Sequence, residues 1–215
     1  MVVASQVHLV RHGEVFNPEG VLYGRLPEFR LSDLGVQMAQ AAAAELVERG
    51  RPVVSVIASP LQRARESAEP IAAAFNLDTT IDERIIEPTN RFEGKRMRGE
   101  DGALRDPKNW PLLINPLRPS WGEPFRSISK RMLAAIDDAW QSVPEGDVVL
   151  VSHQLPIWMV HRTLAQERLF HDPRQRRCAL SSITTLSWRG NRFAETAYSS
   201  PAAGLQGDAI DVGAV

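Results

Sequence analysis

The chain has 215 residues, 43% hydrophobic and 24% charged, with a formal net charge of −1; this profile fits one globular domain, or one domain with an insertion, and argues against a dedicated nucleic-acid or anionic-membrane partner. The single cysteine, Cys178, excludes an internal disulfide and fits a reducing compartment. The start "MVVASQVHLV" lacks the basic and long apolar regions of a signal peptide, and no apolar run approaches the roughly 20 residues of a membrane span, so a cytoplasmic protein is expected.

The first predicted element is the run "VHLV" at 7–10, which stops at Arg11, His12 and Gly13. Continuous apolar character suits a strand covered on both faces. Ser32 is placed to cap a helix over "DLGVQMAQAAAAELVER" that ends at Gly50. A second buried strand, "VVSVIA" at 53–58, leads to Ser59 and Pro60, read as the cap and first position of a helix through "LQRARESAEPIAAAF". Pro70 is expected to kink or divide that helix.

Residues 88–124 differ: they are polar and proline-containing, without clean periodicity, and read as an insertion over one end of the sheet. "FRSISKRMLAAIDDAWQSV" is an amphipathic helix. The third strong strand, "DVVLVS" at 147–152, precedes His153 and the helical "QLPIWMVHRTLA". "SITTLSW" and "RFAETAY" form a hairpin around "RGN". The small-residue tail from Pro201 to 215 is expected to be mobile, leaving residues 1–200 as one domain. Strand–helix alternation closed by a hairpin argues α/β with a mostly parallel sheet.

Ligands of open α/β sheets sit beyond the carboxyl ends of the strands. The first strand delivers Arg11 and His12 there, the second Ser59 and then Arg63, the third His153. Two arginines and two histidines suit a phosphate. Guanidinium forks match its oxygens and stay charged, and a neutral imidazole nitrogen is a competent nucleophile. The neighbouring arginines favour that neutral form. Gly13 is read as allowing close approach of the phosphate to the backbone. These cations already face the developing charge, so no metal is required. A leaving alkoxide needs a proton, and "IDERIIEPTNRFEG" offers Glu83, Glu87 and Glu93. Glu87, after the strand-like pair Ile85–Ile86 and before Pro88, is the first choice as general acid; Glu83 is the reserve.

At "LVRHGE" the sequence resembles the histidine phosphatase superfamily, in its phosphoglycerate-mutase-like branch. The resemblance continues in "GVLYGRLPEFRLSDLGVQMAQAAAAEL", "SPLQRARESAEPIA" and "VVLVSHQLPIWMV" and extends to about residue 190. It implies a three-layer sandwich with a mostly parallel central sheet and an insertion over the active-site edge. It also implies that His12 becomes phosphorylated, that Arg11, Arg63 and His153 hold the phosphoryl group, and that Glu87 donates the proton and then activates water. Asn17 matches an asparagine that contacts the transferring phosphate, one residue closer to the histidine than is usual. Gln154 and Arg91 stand where the family usually has glycine.

His8 and His161 are read as packing residues, and Arg65 as structural. Trp110 and Trp121 pack the insertion. "HDPRQRRC" at 171–178 is a solvated basic loop, or else recognises an acidic substrate tail. The leading functional reading is a metal-independent, cofactor-free phosphomonoesterase for a phosphorylated small molecule. The alternative is a phosphoglycerate mutase, which alone would need a bisphosphoglycerate primer. Arg91, Lys95, Arg96, Arg98 and Arg118 are scattered, without the tandem arginines such mutases carry, and this favours the phosphatase. A third reading is an inactive phospho-ligand or protein-binding module. Oligomeric state is left open.

Overall fold

The computed structural model describes residues 3–97, 102–113, 121–209 and 211. In chain order the elements are β1 (Gln6–Arg11), α1 (Asp33–Glu48), β2 (Val53–Ala58), α2 (Gln62–Ala74), β3 (Thr79–Ile81), α3 (Phe125–Gln141), β4 (Asp147–Ser152), α4 (Gln154–Leu164), β5 (Ile183–Arg189) and β6 (Arg192–Ser199). The six strands form one sheet in the order β3-β2-β4-β1-β5-β6. β1 pairs with β4 in parallel and with β5 antiparallel, and the β5–β6 hairpin finishes one edge.

Three layers follow from the alternation of side chains along buried strands. Val7, Leu9, Val148 and Leu150 point into a core with α3 and α4. Val10, Val149 and Val151 point the other way, against the alanine-rich faces of α1 and α2. Fully burying one such side chain contributes about 1.5–3 kcal/mol, so both faces resist a register slip that would exchange them. His8, between Val7 and Leu9, is buried and satisfied by Asp147 at 3.2 Å and Thr185 at 3.0 Å, as a packing residue should be. His161 stacks on Trp158 at 4.5 Å and meets Glu195 at 2.6 Å. Arg65 lies exposed on α2.

Several expectations need correction. α2 begins at Gln62 behind an uncapped Leu61, so Ser59 is not its cap. Pro70 does not divide α2, which runs on from Gln62 to Ala74. The missing N–H forfeits one bond to Glu66, while the buried Ala68, Ile71 and Ala72 hold the helix on the sheet. Ile85–Ile86 is not a strand: Glu83–Ile85 is a 3-10 turn, capped by the Asp82 carboxylate accepting from Arg84 N at 2.8 Å. The tail is packed over its described part. Ala203–Asp208 is a 3-10 turn, and Ala202 is buried with Met38 and Leu180.

In the insertion, Leu22, Phe92 and Ala103 form a small core with Met97 and Trp121 against it. Trp121 thus packs as expected, whereas Trp110 is 58% exposed. Arg98 and Arg118 lie outside the described residues. Among the described residues no helix is long and apolar enough to cross a membrane.

Candidate active site

β1, β2 and β4 are parallel neighbours, so their carboxyl ends open on one edge of the sheet. There the structure gathers Arg11, His12, Arg63 and His153, all buried. The two imidazole rings are 5.2 Å apart.

His12 Nδ1 lies 2.7 Å from the carbonyl of Gly13. A carbonyl only accepts, so Nδ1 carries the hydrogen and Nε2 keeps its lone pair. Burial, reinforced by Arg63 and Arg11, pulls the pKa of His12 well below the ordinary imidazole value. Both effects favour the neutral ring, with the lone pair on Nε2. His153 is held down in the same way, by burial first and then by Arg63 and His12. Its Nε2 is bonded to Ser59 Oγ at 2.7 Å, which is the true task of that serine.

The arginines are anchored from behind. Arg11 donates through one terminal nitrogen to Cys178 O at 2.7 Å, and through both to Asp211 at 2.8 and 2.6 Å. Burial opposes its charge, but the Asp211 carboxylate outweighs this and raises its pKa. Arg63 donates to Gly24 O at 2.8 Å and lies 4.7 Å above the ring of Tyr23. Burial lowers its pKa from the ordinary guanidinium range. Burial pushes the Tyr23 phenol up to about 12, so it stays neutral.

Five buried side-chain polar atoms among the described residues make no hydrogen bond, and three of them are Arg11 Nε, Arg63 Nε and His153 Nδ1. Buried polar atoms are nearly always paired, so three unpaired atoms in one cluster demand a reason.

Glu87 completes the set. Its Oε2 lies 3.6 Å from His153 Nδ1. Ser152 Oγ donates to Ile85 O at 2.7 Å, stitching the turn before Glu87 to the end of β4. Arg25 Nε donates to Glu87 O at 2.5 Å. Burial raises the carboxyl pKa above its ordinary value, against the opposing pull of Arg63, Arg176 and Arg11. Glu83, the reserve, is exposed on the 3-10 turn. Glu93 is structural, accepting from the backbone of Arg25 at 3.0 Å and Asn90 at 3.2 Å.

The Asn17 amide is bonded within its own loop: Nδ2 donates to Val21 O at 2.8 Å, and Oδ1 accepts from Val21 N at 3.2 Å. Gly13 also has a packing reason. A Cβ there would stand 2.3 Å from Gly35 O, and a Cβ on Gly35 would stand 2.0 Å from Glu14 O. The two glycines let the first turn of α1 lie directly on the loop leaving β1. Glu14 ties the joint, its carboxylate accepting from Ser32 Oγ and its carbonyl from Ser32 N at 3.0 Å. Ser32 Oγ in turn caps Gly35 N at 2.9 Å, as expected for the N-cap.

Sequence reading missed Ser59 as the partner of His153, Tyr23 under Arg63, Asp211 behind Arg11, and Arg176. Arg176 lines, with Glu87, an adjoining cavity of about 400 Å³. The loop 171–178 is therefore not wholly solvated. Only the run of basic residues hinted at this.

Residues 7–200 match the family model of the histidine phosphatase superfamily (branch 1). An uncharacterised protein of Mycobacterium tuberculosis, Rv0525, is 52% identical over 199 residues, covering 93% of this chain and 98% of its own. A 2,3-bisphosphoglycerate-dependent phosphoglycerate mutase of Thermoplasma acidophilum is 31% identical over 151 residues, 69% of this chain and 70% of that protein. Among solved structures, the mycobacterial glucosyl-3-phosphoglycerate phosphatase Rv2419c has the same fold, with a TM-score of 0.70 at 22% identity over 89% of this chain and 96% of that one. The chain belongs to the histidine phosphatase superfamily, a family of phosphoryl-transfer enzymes with phosphatase and mutase-like members.

Proposed function

We propose that the protein hydrolyses phosphomonoesters of small molecules through a phosphohistidine on His12. The observation that carries this reading is the trio of unpaired donors, Arg11 Nε, Arg63 Nε and His153 Nδ1, set about a neutral His12 whose Nδ1–H is already spent on Gly13.

The phosphate seats on those donors. His12 Nε2 attacks phosphorus as the bond to the leaving oxygen breaks, and Glu87, whose protonated form burial favours, gives that oxygen its proton. Arg11, Arg63 and His153 face the equatorial oxygens, where preorganised donors act most strongly. With the Ser59 hydroxyl donating to His153 Nε2, the hydrogen sits on Nδ1 and faces the phosphate. In the second step Glu87, now a carboxylate, takes a proton from water. The hydroxide oxygen bonds to phosphorus, the P–N bond breaks, and His12 is restored. Three cationic or hydrogen-bonding groups already meet the developing charge, so the sequence of steps calls for no metal.

The mutase reading has several relatives in its favour, among them the Thermoplasma protein named above. Hydrolysis is favoured because none of Arg91, Lys95 and Arg96 lines the cavity beside Glu87. Lys95 bonds Asn109 at 2.8 Å, Arg96 bonds Glu19 O at 2.8 Å, and Arg91 is exposed. The test is hydrolysis of an aryl phosphate in EDTA by the parent, His12→Ala and Glu87→Ala proteins. Turnover that survives the chelator, and acid-labile phosphate trapped on the parent but absent from His12→Ala, is the expected result. A parent that hydrolyses nothing but isomerises 3-phosphoglycerate with a bisphosphoglycerate primer would overturn hydrolysis in favour of transfer.

A further inference from the structure

The loop from His171 to Cys178 carries three arginines, and they behave differently. Arg174, 84% exposed in its side chain, pairs with Asp172 at 2.7 Å. Arg177 pairs with Glu195 and stacks 4.3 Å over Tyr198. Arg176 turns inward to the cavity beside Glu87 and has no carboxylate within ion-pair distance among the described residues.

Arg176 is held instead by neutral acceptors. Its Nε donates to His171 Nε2 at 2.8 Å, and a terminal nitrogen reaches Gln154 Oε1 at 3.3 Å. His171 Nδ1 in turn donates to Leu169 O at 2.8 Å, which leaves its Nε2 free to accept. Burial draws the pKa of His171 down to about 4, so this support is uncharged at neutral pH. Burial also draws Arg176 down to about 10, and it remains cationic. A largely buried cation with no carboxylate in direct contact is costly, and an arriving oxyanion reduces the cost.

The rest of the wall limits what that oxyanion is attached to. Leu22, Trp121, Phe125, Leu155 and Phe170 make most of the lining apolar. Its other acids are occupied: Glu123 is forked by Arg131 at 3.0 Å, and Asp172 is taken by Arg174. Glu87 stands at the junction with the phosphate site, where a leaving group enters the cavity.

We propose that Arg176 is a specificity-determining residue that selects phosphomonoesters whose leaving group carries a second oxyanion, a carboxylate or another phosphate, on an apolar body. This rests on the phosphatase reading of His12 and Glu87. His171 is the positioning residue that aims Arg176.

The test uses phenyl phosphates bearing a para carboxylate, a para phosphate or a para carboxamide, the last being the neutral control. The parent should prefer at least one anionic substrate over the carboxamide by about tenfold or more in kcat/KM, the scale of one charge-assisted hydrogen bond. Whichever anion is preferred identifies its source. Arg176→Gln should bring that ratio near one, and Arg176→Lys should restore part of it. A parent that does not discriminate overturns the proposal, as does a preference that survives in Arg176→Gln. Equal loss on all three substrates also overturns it, because Arg176 would then be acting on Glu87 rather than on the substrate. Calorimetric binding of the same compounds to His12→Ala, with and without Arg176→Gln, reads the ratio without turnover. An intact binding preference in a parent that hydrolyses nothing would sink the phosphatase reading and leave the assignment of Arg176 standing.

Discussion

Gly35→Ala sets two physical effects against each other. Gly35 lies in the first turn of α1, where alanine is the better helix former by about 1 kcal/mol. Propensity alone predicts a more stable protein. The added Cβ, however, would stand 2.0 Å from Glu14 O and 2.9 Å from Glu14 C and N. These are backbone atoms, so no rotamer relieves the clash. Overpacking of a filled site costs about 1–3 kcal/mol and occasionally more. Here the opposing surface is Gly13 and Glu14, which also hold His12, so the cost belongs at the upper end. A net loss of about 2 kcal/mol is expected, a fall in Tm of about 4–8 °C for a chain of this size. Separating α1 from the loop also displaces the His12 ring, whose Nδ1 is tied to Gly13 O, and kcat should fall by about tenfold or more. Gly204→Ala is the control, since nothing lies within 4 Å of its Cβ position and its φ is ordinary. Thermal denaturation and turnover of an aryl phosphate are the assays. A Gly35→Ala protein as stable as the parent would refute the claim that the interlocked glycines require close backbone approach.

Ser59→Ala leaves His153 Nε2 buried without its 2.7 Å partner and should lower stability by about 1–3 kcal/mol together with kcat; unchanged denaturation and kinetics would remove Ser59 from the site. The pH dependence of kcat/KM follows from two opposite shifts. His12 must be neutral, so the rate rises with pH through its lowered pKa, and Glu87 must be protonated, so the rate falls as pH climbs past its raised pKa. The falling limb should be steep with phenyl phosphate and weak with 4-nitrophenyl phosphate, whose leaving group needs no proton; identical profiles would deny Glu87 the role of acid.

The fold was legible where pattern is local. The largely apolar runs at 7–10, 53–58 and 147–152 form strands, β1 and β4 buried on both faces and β2 with Val54 exposed, and their parallel alignment puts Arg11, His12, Arg63 and His153 at one edge. The expected three-layer arrangement and the closing hairpin are present. What pattern did not reveal depends on partners far away in the chain. Gly13 is a glycine because of Gly35, which no periodicity links to it. Ser59 before a proline looks like a helix cap until His153 is brought beside it. Arg174, Arg176 and Arg177 are alike in sequence, and only the positions of Asp172, Glu195 and the cavity separate them. Ile85–Ile86 reads as a strand because two apolar residues carry no period, while the turn around them is set by the Asp82 cap and by Ser152.

The central place of β1 has a consequence for how activity is acquired. The strand that carries His12 is built first in the chain, yet its neighbours come last: His8 bonds Asp147 across 139 residues and Thr185 across 177. Each loop closure must be completed before its contacts return anything, which makes pairings of this separation slow. No early fragment contains a working pocket, because Arg63 and Glu87 converge on His12 only when β4 has inserted between β1 and β2. Recovery of turnover on refolding is therefore a reporter of the last cooperative step, and a partly folded chain is silent rather than weakly active.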